Sequence, residues 1–227
     1  MSQNTSSAVM QQRNVDADPF DYFPTPCWAT RALLEKLSGP DCAPEMTVME
    51  PACGEGYMTR PLLEYFKTVL SMDIQDMGQE VVRDYLTPAD ETKVDWTITN
   101  PPFKVAKEFI EVALNNSTHG VAVFVRIAFL EGQTRYAELF RHLPPTEVYT
   151  FVERVPLCQG WVDPDLSSAT CYVWMVWRKA DVRKSGEPYD GHFIAPCRKR
   201  LEREGDYPPR KIEQYSIEST PLFGDVA

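Results

Sequence analysis

Apolar side chains recur along this chain at two spacings, and the two spacings alternate. Ala29, Leu33 and Leu37 fall four residues apart behind Thr25-Pro26, a hydroxyl cap with proline at the first helical position, and Gly39-Pro40 stops the predicted helix. Thr47-Val48-Met49 predicts a short strand, Met58, Leu62 and Phe66 a helix face, and Thr68 to Met72 a second strand ending in Asp73. The stretch between Asp73 and Asp95 has room only for an abbreviated third strand, Val81 to Leu86. Val94 to Thr99 predicts a strand that ends in Asn100, and Ala106, Phe109, Ile110 and Ala113 form a helical stripe. Val121 to Ile127 is almost wholly apolar, as a strand covered on both faces requires, and Tyr136, Leu139, Phe140 and Leu143 form a further stripe. Glu147 to Val152 and Cys171 to Trp177 then follow with no helix between them, joined by a loop rich in Pro, Gly, Asp and Ser, so this last pair is expected to be antiparallel. The alternation predicts an α/β fold: a doubly wound, mostly parallel sheet with an antiparallel strand near one edge.

Length and composition narrow this picture. The chain has 227 residues, of which 43% are hydrophobic and 11% aromatic, enough for one sizeable core with extensions. Residues 1–18 are polar and aperiodic and read as a disordered leader, 19–179 as the folded domain, and 180–227 as a basic C-terminal extension. No apolar run approaches the ~18 residues of a membrane span, and the N-terminus lacks a signal-peptide pattern, so a cytoplasmic protein without membrane contact is expected. Six dispersed cysteines without a CxxC pair and three scattered histidines indicate neither a disulfide framework nor a metal site. A net charge of −10 argues against a general nucleic-acid coat. Residues 178–211 nevertheless carry ten basic and six acidic side chains, a local net of +4 that leaves −14 elsewhere.

In doubly wound sheets ligands bind beyond the carboxyl ends of strands, and the candidate chemistry clusters there. Glu50-Pro51-Ala52-Cys53-Gly54-Glu55-Gly56 forms a strand-to-helix turn that lets a ligand approach the backbone. It has neither the spacing of a dinucleotide loop nor the lysine of a triphosphate loop, and Glu50 would welcome an amino group or cation rather than a phosphate. Asp73 ends a strand, where a carboxylate can accept from a ribose diol, and Asp84 could hold an adenine amino group farther along the same cleft. As structural features alone, these would be a turn, a cap and a solvated charge.

Asn100-Pro101-Pro102-Phe103 is the sharpest signal. The prolines hold the chain extended and lack N–H groups, so the Asn100 side-chain oxygen and the Pro101 carbonyl form a paired acceptor for an NH₂ group, and Phe103 offers a stacking face. Arg126, at a strand end, could reach a phosphate, and Trp161 is the candidate second wall for a stacked base.

Together, Asp21-Tyr22-Phe23-Pro24-Thr25-Pro26, the loop Val48 to Gly56 and Asn100-Pro101-Pro102-Phe103 resemble the amino-group, S-adenosylmethionine-dependent DNA methyltransferases, especially the adenine-N6 type of phages and bacteria. The resemblance covers about residues 20–178 and implies a seven-stranded methyltransferase sheet. It implies that Phe23, Thr25, Glu50, Ala52 and Gly54 line the methionine part of the cofactor, that Asp73 binds its ribose and Asp84 its adenine. It assigns catalysis to Asn100, Pro101, Pro102 and Phe103, on a DNA adenine flipped from the stack. The chain after Trp177 is short for a separate recognition domain, which leaves target selection to the 153–170 loop, the basic extension or a protein partner. The same tetrapeptide also serves enzymes acting on RNA adenine or a protein glutamine amide. A reading of another class is a non-catalytic methyltransferase-like binding module.

Overall fold

The computed structural model describes residues 22–37, 42–87 and 92–207. The leader, the helix stop at Gly39-Pro40 and the end of the extension lie outside the described residues. Helix α1 (Cys27–Leu37) is followed by β1 (Thr47–Glu50), α2 (Thr59–Tyr65), β2 (Thr68–Asp73), β3 (Val81–Val82), β4 (Val94–Thr99), α3 (Ala106–Asn116) and β5 (Ser117–Arg126). A short α4 (Gln133–Arg135) precedes β6 (Glu147–Phe151), β7 (Tyr172–Arg178), β8 (Asp190–Ile194) and α5 (Arg198–Leu201).

The strands form one sheet in the order β3-β2-β1-β4-β5-β7-β6-β8. β1 to β5 are parallel, β7 is antiparallel to both β5 and β6, and β8 lies parallel to β6. The sheet thus has eight strands where seven were expected, because the segment after 179 supplies an outer strand. β7 is interior because β5 and β6 flank it; six of its seven residues are buried, and Tyr172, Trp174 and Trp177 are core residues.

Alternation along the strands explains how both faces are covered. Val48, Trp96, Ile98, Phe124, Trp174 and Val176 face α1 and α2, while Val121, Val123, Val125, Val173 and Met175 face Ile110 and Ala113 of α3. Gly120 lets the Trp96 ring lie against β5, since a Cβ there would stand 2.4 Å from that ring. The expected stripe at 136–143 is less regular: one turn of α-helix gives way to a π-type turn over Tyr136–Phe140, and Leu139 alone of the four is fully buried.

β3 stops after two residues for a local reason. Arg83 donates its N–H to the Asp73 carbonyl, Asp84 Oδ1 accepts from the Leu86 N–H at 2.9 Å, and the resulting turn drops Tyr85 beside Met49, Met72 and Phe109. On the opposite flank, Arg31 of α1 is 2% exposed and holds Glu64 of α2 at 2.7 Å and Asp206 at 2.7 Å, tying the end of the described chain to the first helix. Among the described residues no helix is long and apolar enough to cross a membrane.

Candidate functional site

The chain runs outward from β1 to β3 and then returns to β4 on the other side of β1, so the strand order reverses between β1 and β4. Helices diverge there and leave a crevice at the carboxyl ends. A cleft of about 320 Å³ occupies it. Phe23, Thr25, Glu50, Ala52, Asp73, Asp84, Asn100, Pro101 and Pro102 all line this cleft, as do Tyr22, Ile74, Met77 and Lys104.

Glu50 is the last residue of β1 and is 2% exposed. Its Oε2 accepts a 2.6 Å bond from the Thr59 hydroxyl, which lies 3.1 Å from that of Ser71. Burial dominates over this bond, with the charge of Asp73 adding to it, and pushes the Glu50 carboxyl up to about 8. Asp73 ends β2 and accepts from the Gly54 N–H at 2.9 Å and the Gln75 N–H at 3.0 Å, one bond on each oxygen. Both of its oxygens keep a lone pair for a ligand.

Gly54 stands behind this carboxylate at φ +51°, a left-handed conformation, and a Cβ on it would lie 2.3 Å from the Tyr22 ring. Tyr22 also accepts from the Glu55 N–H at 3.2 Å and, through its carbonyl, from the Gly160 N–H at 3.1 Å. It therefore clamps the glycine turn to the 153–170 loop. Burial raises its phenol well above the ordinary value and keeps it neutral.

Asn100 follows β4 and crosses the cleft. Its Nδ2 donates to the Phe23 carbonyl at 2.8 Å and to the Thr25 hydroxyl at 3.0 Å. The Phe23 carbonyl can only accept, which fixes the amide with its nitrogen toward α1 and its oxygen the other way. Among the described residues nothing donates to that oxygen or to the Pro101 carbonyl; the Val105 N–H goes to Pro102 instead, at 3.1 Å. Phe103 is half-buried, with Phe23 at 5.8 Å between ring centroids and the Arg126 guanidinium 4.5 Å above its ring.

Most of the residues singled out from sequence thus converge. Gly54 shapes the cleft from behind, and Phe103 and Arg126 form a stacked pair outside its lining. Trp161 does not line the cleft: the loop turns at Gly160 (φ +85°), and Val162, the residue after Trp161, packs on Cys27 and Tyr57. The position over Phe103 is held by Arg126 instead. Tyr22, Thr59 and Ser71 have no role legible in the sequence: Tyr22 lies inside the Asp21 to Pro26 motif, whereas the two hydroxyls carry no spacing signal.

No protein-family model and no curated protein matches the sequence. Among solved structures the chain is similar to a proposed class I S-adenosylmethionine-dependent methyltransferase from Listeria monocytogenes, at 13% identity over 79% of this chain and 68% of that one, with a TM-score of 0.56. It is similar to a proposed RNA methyltransferase from Pyrococcus horikoshii at 19% identity, over 70% of this chain and 87% of that one, with a TM-score of 0.54. It is also similar to the modification subunit of a proposed type I restriction enzyme from Vibrio vulnificus YJ016, at 15% identity over 73% of this chain, with a TM-score of 0.53. The chain spans 46% of that subunit, less than half its length. The fold is that of the class I methyltransferases.

Proposed function

We propose that this chain is an S-adenosylmethionine-dependent N-methyltransferase whose acceptor is the N6 amino group of adenine in DNA. One observation carries the reading: Asn100 is tethered through its nitrogen, which leaves its oxygen unclaimed, and among the described residues the carbonyl of Pro101, on the same cleft lining, is unclaimed as well.

The cleft suits the cofactor chemically. Glu50 offers a carboxylate to an ammonium, Asp73 offers free lone pairs to a diol, and Asp84 stands farther along the same wall. Bound there, the cofactor supplies an electrophilic methyl group on a sulfonium.

The exocyclic nitrogen of adenine is sluggish because its lone pair is delocalised into the ring. Asn100 and Pro101 would each accept a hydrogen bond from one N–H of the amine, pulling the nitrogen toward a tetrahedral geometry with its lone pair toward the cofactor side, and the proton that methylation makes surplus would leave to solvent. A base inside a duplex cannot reach this recess, so it must be turned out. The similarity in fold to both a restriction-modification subunit and an RNA methyltransferase supports a nucleic-acid acceptor.

Incubation with tritiated cofactor and DNA, RNA or cell protein, followed by nucleoside analysis, tests the reading. N6-methyldeoxyadenosine is the expected product; label confined to RNA or protein overturns the DNA assignment. Asn100→Ala should lower turnover about a thousandfold. Calorimetry should show cofactor affinity falling only severalfold, through the loosened Phe23 and Thr25 contacts, and undiminished turnover in this variant would remove Asn100 from the mechanism.

A further inference from the structure

The guanidinium of Arg126 covers Phe103, the ring that the adenine reading gives to a turned-out base. It sits 4.5 Å above the Phe103 ring, and Phe23 packs against the same ring at 5.8 Å. No carboxylate faces Arg126 among the described residues, and its Nε is buried without a hydrogen-bond partner. A cation held on an aromatic face with an unused donor is poised for an anion. Glu50, Asp73 and Asp84 line the β1–β3 side of the cleft, Lys104 lines it next to Phe103 in the chain, and Arg126 lies over the Phe103 ring.

We infer that Arg126 is a stand-in for the base, covering Phe103 and exchanging that ring for a backbone phosphate of the DNA strand when adenine enters. The inference rests on the adenine reading above. Base stacking on an aromatic side chain matches a partly desolvated cation–π contact in strength, so the ring loses little in the exchange. The displaced guanidinium gains a charge-assisted, bidentate partner. A nucleoside without phosphate must displace Arg126 and offers it no new partner; a strand offers one. Arg126 would thus disfavour free nucleosides and favour the polymer.

The test compares 2′-deoxyadenosine with a deoxyadenylate-containing oligonucleotide as methyl acceptors for the full chain and for Arg126→Ala and Arg126→Gln. Removal of the guanidinium should raise kcat/KM for the nucleoside severalfold and lower it for the oligonucleotide roughly tenfold, with the salt slope of oligonucleotide binding reduced by about one. Cofactor binding, read by calorimetry, reports that each variant is folded. Parallel losses on both acceptors, or no change on either, overturn the exchange while leaving the adenine reading intact. A wild-type chain that binds cofactor and methylates neither acceptor overturns the adenine reading, and the role of Arg126 falls with it.

Discussion

Glu50 shows how much one buried side chain can set. Its carboxyl is pushed up to about 8 by burial first and by Asp73 second, so the ligand-free protein holds a proton there that an unfolded chain releases near the ordinary carboxylate value of 4.5. Stability contributed by that proton is complete below the unfolded value and declines as pH rises through the folded one, by up to about 1.4 kcal/mol per pH unit. The urea midpoint of the wild type should fall between pH 6 and pH 8, and Glu50→Gln should remove most of that fall, because the amide cannot titrate. An ammonium drawn against Glu50 reverses the preference and expels the proton. Cofactor affinity should therefore rise up to about tenfold per unit as pH approaches the folded value and flatten above it, with the enthalpy depending on the buffer. A flat profile would detach Glu50 from the ligand. The position of Glu50 was legible, since it ends an apolar run before a glycine turn; its protonation was not, because the hydroxyls of Thr59 and Ser71 and the depth of the site come from packing.

Among the elements, the turn between β1 and α2 depends on the Tyr22 ring. Gly54→Ala would add a methyl 2.3 Å from that ring at a left-handed φ of +51°, costing about 1–3 kcal/mol. Thermal unfolding should register the loss, and Tyr22→Ala in the same chain should recover the steric part of it, a coupling that a double-mutant cycle measures directly. Strands were the legible elements, because burial on both faces leaves nearly unbroken apolar runs such as Val121 to Val125. The Tyr136 to Leu143 stripe misled because spacing reports which positions can share a face, and here the backbone changes its winding partway, so Tyr136 and Leu143 reach solvent. The order of the strands, and with it the interior place of β7, is not written in local spacing at all. It rests on long-range pairing, β7 with β5 on one edge and with β6 on the other.

At the scale of the whole molecule, residues far apart in sequence close the structure. Arg31 spends its donors on Glu64, Asp206 and the Leu201 carbonyl, and burial of Asp206 is outweighed by the guanidinium bonds, which hold its carboxyl below the usual range. Asp206→Ala would strand half of that guanidinium in a site where Arg31 is 2% exposed and should cost about 3 kcal/mol. Chemical denaturation would show it, and replacing Arg31 with Met alongside should return part of the loss. A midpoint unmoved by Asp206→Ala would mean that the latch is ornamental. The sheet order adds a temporal consequence. β6 leaves the ribosome before β7, yet it can dock only on the far side of β7, whose other edge is paired to β5. During synthesis that half of the sheet must wait, its greasy margin uncovered, until Tyr172 to Arg178 has emerged to fill the gap.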